Sequence, residues 1–371
     1  MTPTPWRTRL QQTLRNEWQH MVAFQDSPRR WPMPLAAALA SGAPLLVAAM
    51  VGQIEAGLVG SLGGLVFLYL PETPLQHRMV VLMACGFMMT ASYAMGLGVQ
   101  ALGIVWLRAP LIALVALVVS MTVRYYRLPP PGPLFFVMAA AIGAYTPLSV
   151  EQLPMQVGLL FLGVLGAAVI AFGYSLAVLA RWEAMPMPVR PMATFDYVVV
   201  DAVVIAAAVG ASLLLAELLQ LSRPYWVPVS CMAVAQGASL RAVWNRQLHR
   251  VGGTAVGMLV AAALLLLPLD AWRIAFAVMA LTVLVESLVV RHYGLAVVFI
   301  TPLTILLADA GALGGDLAVG MLVRARLFDT ALGCAVGLLA GLCLHSPPLR
   351  AAVARPLRAL VPRRLQREAL R

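Results

Sequence analysis

Apolar runs of roughly twenty residues, one after another and almost free of charge, constrain this chain more than any other feature. Hydrophobic residues make up 61% of the 371 and charged residues 11%, where an ordinary soluble domain carries about 25% charged residues. Backbone N–H and C=O groups inside lipid have no water to bond. Such runs must close their hydrogen bonds internally, as helices or as a closed barrel. The runs are continuously apolar and do not alternate, which favours helices. The expected fold class is an all-α membrane protein.

Reading the runs in order gives first-half spans near 33–52, 56–70, 79–98, 104–123, 132–147 and 157–180. The second half gives spans near 197–219, 225–237, 251–269, 271–290, 293–309 and 327–344. These define a first six-helix unit over residues 31–183, a polar linker over 184–196 and a second unit over 197–346. Ahead of them, residues 1–30 carry Trp6, Leu10, Leu14, Trp18 and Val22 at helical spacing between arginines. That pattern suits an amphipathic segment on the cytoplasmic membrane surface. Residues 347–371 form a basic tail, expected to lie on an anionic inner leaflet.

The net charge is +11, and every Lys/Arg position is Arg. With the N-terminus placed inside, 21 of the 26 arginines fall on the cytoplasmic side. Positive-inside bias of that strength reads as topology and leaves no case for nucleic-acid binding. It predicts about twelve transmembrane helices with both termini cytoplasmic. The four cysteines are scattered in apolar segments without metal-ligand spacing, and no HExxH, GxSxG or phosphate-loop pattern occurs. The chain is therefore expected not to be an enzyme and to hold no cofactor or metal.

An internal repeat is expected at an offset of about 167–172 residues. His77-Arg78 pairs with His249-Arg250, Trp106-Leu107-Arg108 with Trp272-Arg273, and Arg124-Tyr125-Tyr126 with Arg291-His292-Tyr293. An even number of spans per half makes the two halves parallel repeats. The second span, with Gly57, Gly60, Gly63 and Gly64, and the eighth, with Pro228, are short. Corresponding short or Gly/Pro-broken spans are the sequence pointer to a transport pathway. The fifth and eleventh, with Pro147 and Pro302, form a second such pair.

Charges within or beside spans are costly and count as candidate functional groups. Arg108 and Arg273, at matching outer ends, would attract a carboxylate. Arg78 and Arg250 would do so at the inner ends, and Tyr225 and Trp226 would offer aromatic surface. Asp329 and Glu286 are the candidates for proton coupling. Arg324 and Arg326 break the positive-inside pattern.

PYWVPVSCMAVAQGASLRAVWNRQLHRVGGTAVG, starting at Pro224, resembles the second-half signature of the fusaric acid resistance protein family, the aromatic acid exporters. RLFDTALG (Arg326 to Gly333) resembles the family's closing motif, and EAGLVGSLGGLVFLY (Glu55 to Tyr69) its first-half counterpart. The resemblance implies a bacterial inner-membrane transporter, proton-driven, exporting aromatic or other hydrophobic organic acids. It implies a small organic anion as substrate and a periplasmic adaptor protein as partner; self-association as a homo-oligomer is a separate expectation that the sequence leaves open. Plant aluminium-activated malate channels are similar in plan, so an anion channel is the alternative, with a non-transporting scaffold as the third reading.

Overall fold

The structure is a computed structural model and describes residues 24–26, 29–187, 194–309 and 319–359. Most of the N-terminal amphipathic segment, part of the 184–196 linker and the tail beyond residue 359 lie outside the described residues. Among the described residues there is no strand.

The first six helices are α1 (Met33–Met50), α2 (Ile54–Gly64), α3 (Leu75–Ala101), α4 (Arg108–Tyr126), α5 (Leu134–Gly143) and α6 (Leu153–Leu179). Next come α7 (Asp201–Leu218), α8 (Trp226–Ala235), α9 (Leu240–Leu265), α10 (Ala271–Leu288), α11 (Tyr293–Asp309) and α12 (Val319–His345). A last helix, α13 (Pro347–Ala359), carries the first part of the basic tail. Among the described residues, eight helices are long and apolar enough to cross a membrane. The shorter ones are α2, α5, α8 and α11, the second and fifth of each half.

Local chemistry sets several boundaries. Ser239 caps α9, its hydroxyl accepting from the Ala242 N–H at 3.2 Å, and Asp270 caps α10 by accepting from the Arg273 N–H at 2.8 Å. The turn before α6 is a capping box between Ser149 and Gln152. α4 ends at Arg127, which takes a left-handed conformation with φ 52°. The arginine-rich stretch Leu240–His249, expected as a loop before a span starting near 251, is instead the first turns of α9. Arg and Leu are good helix formers, and the Ser239 cap starts the helix ahead of the apolar run.

The short helices are the interior ones. All ten residues of α8 are buried, and most of α5 is. A helix wrapped by other helices need not reach both lipid faces. Long helices form the outer wall, and Phe87, Val118, Val169 and Leu259 on it are exposed. An apolar exterior of this kind suits lipid, where a soluble protein would aggregate.

Packing follows recurring pairs. α2 lies on α6 and α8 on α12; α3 lies on α5 and α9 on α11; α1 lies on α10 and α7 on α4. Small residues permit these approaches. A methyl group on Gly163 of α6 would run into the backbone of Gly60 on α2, and one on Gly333 of α12 into the backbone of Val227 on α8. Gly42 on α1 abuts Met279 on α10, and Gly210 on α7 abuts Ala113 on α4.

Candidate functional site

A cavity of about 700 Å³ lies where the short helices meet. Leu58, Leu62 and Leu65 from α2, Leu134 and Met138 from α5, Val229 and Ala233 from α8, and Ile300, Leu303 and Leu307 from α11 give it apolar walls. α5 packs on α8 and α2 on α11, so the cavity sits between the two halves of the chain.

One end is basic. Arg29, Arg246, Arg250 and Arg291 line it with His249 and His292, whose rings lie 5.2 Å apart. The segment ahead of α1 is drawn across this end. The Phe24 ring lies 5.3 Å from His292, and the Gln25 N–H donates to the Arg291 carbonyl at 2.9 Å. Arg29 pairs with Glu286 of α10, a cavity-lining carboxylate only 6% exposed. Arg30 reaches the other half, pairing with Glu72 at 3.2 Å and lying over the Trp182 ring.

Behind the α8 wall, cations and aromatic rings alternate. The Arg108 guanidinium lies 4.7 Å from the Tyr145 ring centre, Tyr145 lies 5.9 Å from Tyr225, and Tyr225 lies 5.3 Å from Trp226. Arg326 closes the ladder at 3.4 Å from the Trp226 ring. Such stacks are attractive because each cation meets the negative face of a ring. The Tyr145 hydroxyl donates to Glu217.

Among the eight candidate residues, Trp226, Arg250 and Glu286 line the cavity. Tyr225 and Arg108 stand behind it in the ladder, Tyr225 accepting from Arg223 and Arg108 donating to Gln100 at 2.7 Å. Arg78 is buried away from the cavity, donating to the Thr73 carbonyl at 2.6 Å and the Ser175 hydroxyl at 3.5 Å. Arg273 is exposed beside Asp270 at the start of α10. Asp329 is buried on α12, off the cavity, and its Oδ2 has no hydrogen-bond partner.

The expected pairing of Arg78 with Arg250 does not carry to equal depth. Arg78 sits in the first turn of α3, whereas Arg250 lies ten residues into α9, about 15 Å along its axis at 1.5 Å per residue. Sequence reasoning underrated Arg326. It is only 5% exposed, and its departure from the positive-inside bias was the signal. The role of Arg29 was visible only from its position across the cavity.

Residues 207–340 match the fusaric acid resistance protein-like family. That stretch runs from within α7 into α12 and holds α8, the basic start of α9, Glu286, Arg326 and Asp329; the first half lies outside it. The chain is also 36% identical over 123 residues to an uncharacterized membrane protein, YvaC, of Bacillus subtilis (strain 168). The match covers 33% of this chain and 19% of that protein, so the chain aligns with about a fifth of its relative's length. No solved structure matches. Family likeness and eight apolar helices agree on a multi-pass membrane protein.

Proposed function

We propose that the protein is a transporter that exports aromatic or other hydrophobic organic acids across a bacterial inner membrane, driven by the proton gradient. The observation that carries this reading is the cavity. Apolar walls formed by four short helices would hold a hydrophobic body, and the arginines at one end would draw a carboxylate. The fusaric acid resistance-like match supports the same class of activity.

The proposed topology has about twelve transmembrane helices in two parallel six-helix repeats with both termini cytoplasmic. It is supported by short helices at the second and fifth place of each half and by the recurring packing pairs. In this orientation the basic end of the cavity faces the cytoplasm, where substrate would enter. A periplasmic adaptor and self-association belong to the same proposal, and co-purification from the native membrane tests both.

Glu286 and Asp329 are the proposed proton carriers. Glu286 faces the cavity in an ion pair with Arg29, so a proton and a substrate anion would compete there for the two partners. The test is flux of benzoate in proteoliposomes under an imposed pH gradient. Wild type is expected to accumulate benzoate against its gradient, and Glu286→Gln with Asp329→Asn to lose the pH dependence. Unchanged pH dependence in both variants removes these residues from the coupling role.

The preponderance of arginine over carboxylate around the cavity also fits an anion channel. Planar-bilayer current that reverses with the benzoate gradient and ignores pH would select that reading. Absence of flux of any kind would leave the non-transporting scaffold.

A further inference from the structure

Two buried guanidinium groups beside the cavity wall carry donors that no acceptor among the described residues satisfies. Arg326 on α12 is 5% exposed; its Nη2 donates to the Thr304 hydroxyl at 2.8 Å, while Nε and Nη1 are buried and unpartnered. Arg250 on α9 is also 5% exposed, and its Nε is buried without a partner. Each guanidinium lies within electrostatic reach of the other. Between their helices stands Trp226, stacked under Arg326, with its own Nε1 unpartnered.

One carboxylate belongs to this cluster. Asp329 is 1% exposed, feels Arg326 and Arg223 as charged neighbours, and leaves Oδ2 without a partner. A buried cation with open donors is strained until an anion or other acceptor reaches it. Arg30, Arg78 and Arg108, none of them a cavity residue, also have a buried unpartnered nitrogen each. Neither they nor their bonded neighbours Thr73, Ser175 and Gln100 line the cavity. Arg326 differs, because both groups that hold it, Trp226 and Thr304, are cavity walls, and Arg250 is a third.

We propose that Arg250, Trp226 and Arg326 form a carboxylate-binding subsite in the cavity wall. Arg250 meets the anion from the cavity side. Arg326 stands directly behind Trp226 and Thr304 and adds its charge from there. The ligand is a small monocarboxylate whose apolar body stays against the leucine and isoleucine walls of the cavity. The hydrophobic organic acid as ligand rests on the proposed transport function; the location of the carboxylate does not, and follows from the unpartnered donors and their place at the cavity wall.

Binding of benzoate to the purified full-length protein in detergent tests the subsite, read by thermal stabilisation and by tryptophan fluorescence, with benzamide as the uncharged probe. Benzoate is expected to stabilise the wild type and benzamide not to. Arg326→Gln and Arg250→Gln are each expected to weaken benzoate about tenfold, the scale of a lost charge-assisted contact, with Arg326→Lys in between. Arg181→Gln, on an exposed residue at the end of α6, is expected to bind like wild type. Where Arg326→Gln fails to fold, Arg326→Lys and Arg250→Gln carry the same expectation. Wild-type affinity in any folded Arg326 or Arg250 variant, equal binding of benzamide, or no binding of benzoate to wild type overturns the subsite. Flux separates the two proposals. Benzoate binding that depends on Arg326 but leads to no flux keeps the subsite and rejects transport. Flux with unweakened binding in Arg326→Gln does the reverse.

Discussion

Arg326 on the twelfth helix lies with its guanidinium carbon 3.4 Å from the centre of the Trp226 indole on the eighth. The contact joins α8 to α12 near the start of α8, and Gly333, about two turns further along α12, packs against the neighbouring Val227 carbonyl. It ties a residue that lines the cavity to a residue that carries charge behind it. Packing and site chemistry therefore meet at one indole ring.

Truncating that ring is expected to cost stability as well as binding. Trp226 is 1% exposed, and a buried Trp→Ala change costs about 3–5 kcal/mol through lost burial and the cavity left behind. Trp226→Phe keeps a ring under Arg326 and is expected to cost less than half of that. Unfolding midpoints in detergent, followed by circular dichroism, check the order wild type, Phe, Ala. A Trp226→Ala protein as stable as wild type would show that α8 and α12 hold together without the stack.

Glycine substitutions should sort by what each glycine faces. At Gly333 a methyl group would press on the Val227 carbonyl and the Ser230 side chain, and a backbone carbonyl cannot move aside cheaply. Gly333→Ala is expected to destabilise by about 1–3 kcal/mol, the usual cost of overpacking. Gly173 has open space around it, so Gly173→Ala is expected to be neutral or to stabilise by up to ~1 kcal/mol through helix propensity. The same thermal measurement compares the two. Equal effects would mean that close approach of α8 and α12 is not what Gly333 provides.

Helix positions were legible in the sequence because hydrophobicity alone writes them, and the short second, fifth, eighth and eleventh helices stood out as Gly- and Pro-marked runs. The site was less legible, for physical reasons visible in single residues. Arg250 and Arg78 share a His-Arg motif, yet the motif does not report position along a helix: Arg78 lies in the first turn of α3, whereas α9 starts ten residues ahead of Arg250. Arg273 matched Arg108 in sequence, but Asp270 caps α10 and holds Arg273 at the surface. Arg29 meets Glu286 from 257 positions away, a relation that no local pattern encodes.

Asp201 should govern how α13 is held. Its carboxylate takes Arg124 of α4 at 2.9 Å and Arg350 of α13 at 2.9 Å, while Arg358 binds Asp196 nearby. The two arginines of α13 are partly solvated, so each of their pairs is worth ~1 kcal/mol or less and weakens with salt. Asp201→Asn is expected to raise the rate of tryptic cleavage within α13 about fivefold at low salt, the weight of roughly 1 kcal/mol. Salt at molar concentration should bring wild type to the same rate. Identical cleavage of variant and wild type at low salt would show that apolar contacts of α13, such as buried Ala354, hold it unaided.

The Arg29–Glu286 pair should be coupled far more strongly than the α13 pairs, because Glu286 is 6% exposed and lines the cavity. Removing the cation alone strands a buried carboxylate. Arg29→Gln is therefore expected to destabilise by about 3–5 kcal/mol, the cost of breaking a buried pair from one side. Glu286→Gln removes the stranded charge along with the pair and is expected to cost less, since Arg29 stays partly solvated. Adding Glu286→Gln to Arg29→Gln should then recover much of the loss, giving a coupling energy of about 1–3 kcal/mol in a double-mutant cycle. Unfolding midpoints of the four proteins at neutral pH measure it. Additive effects would mean that the segment ahead of α1 rests on the cavity mouth through Phe24 and Gln25 alone, and that Glu286 is satisfied without Arg29.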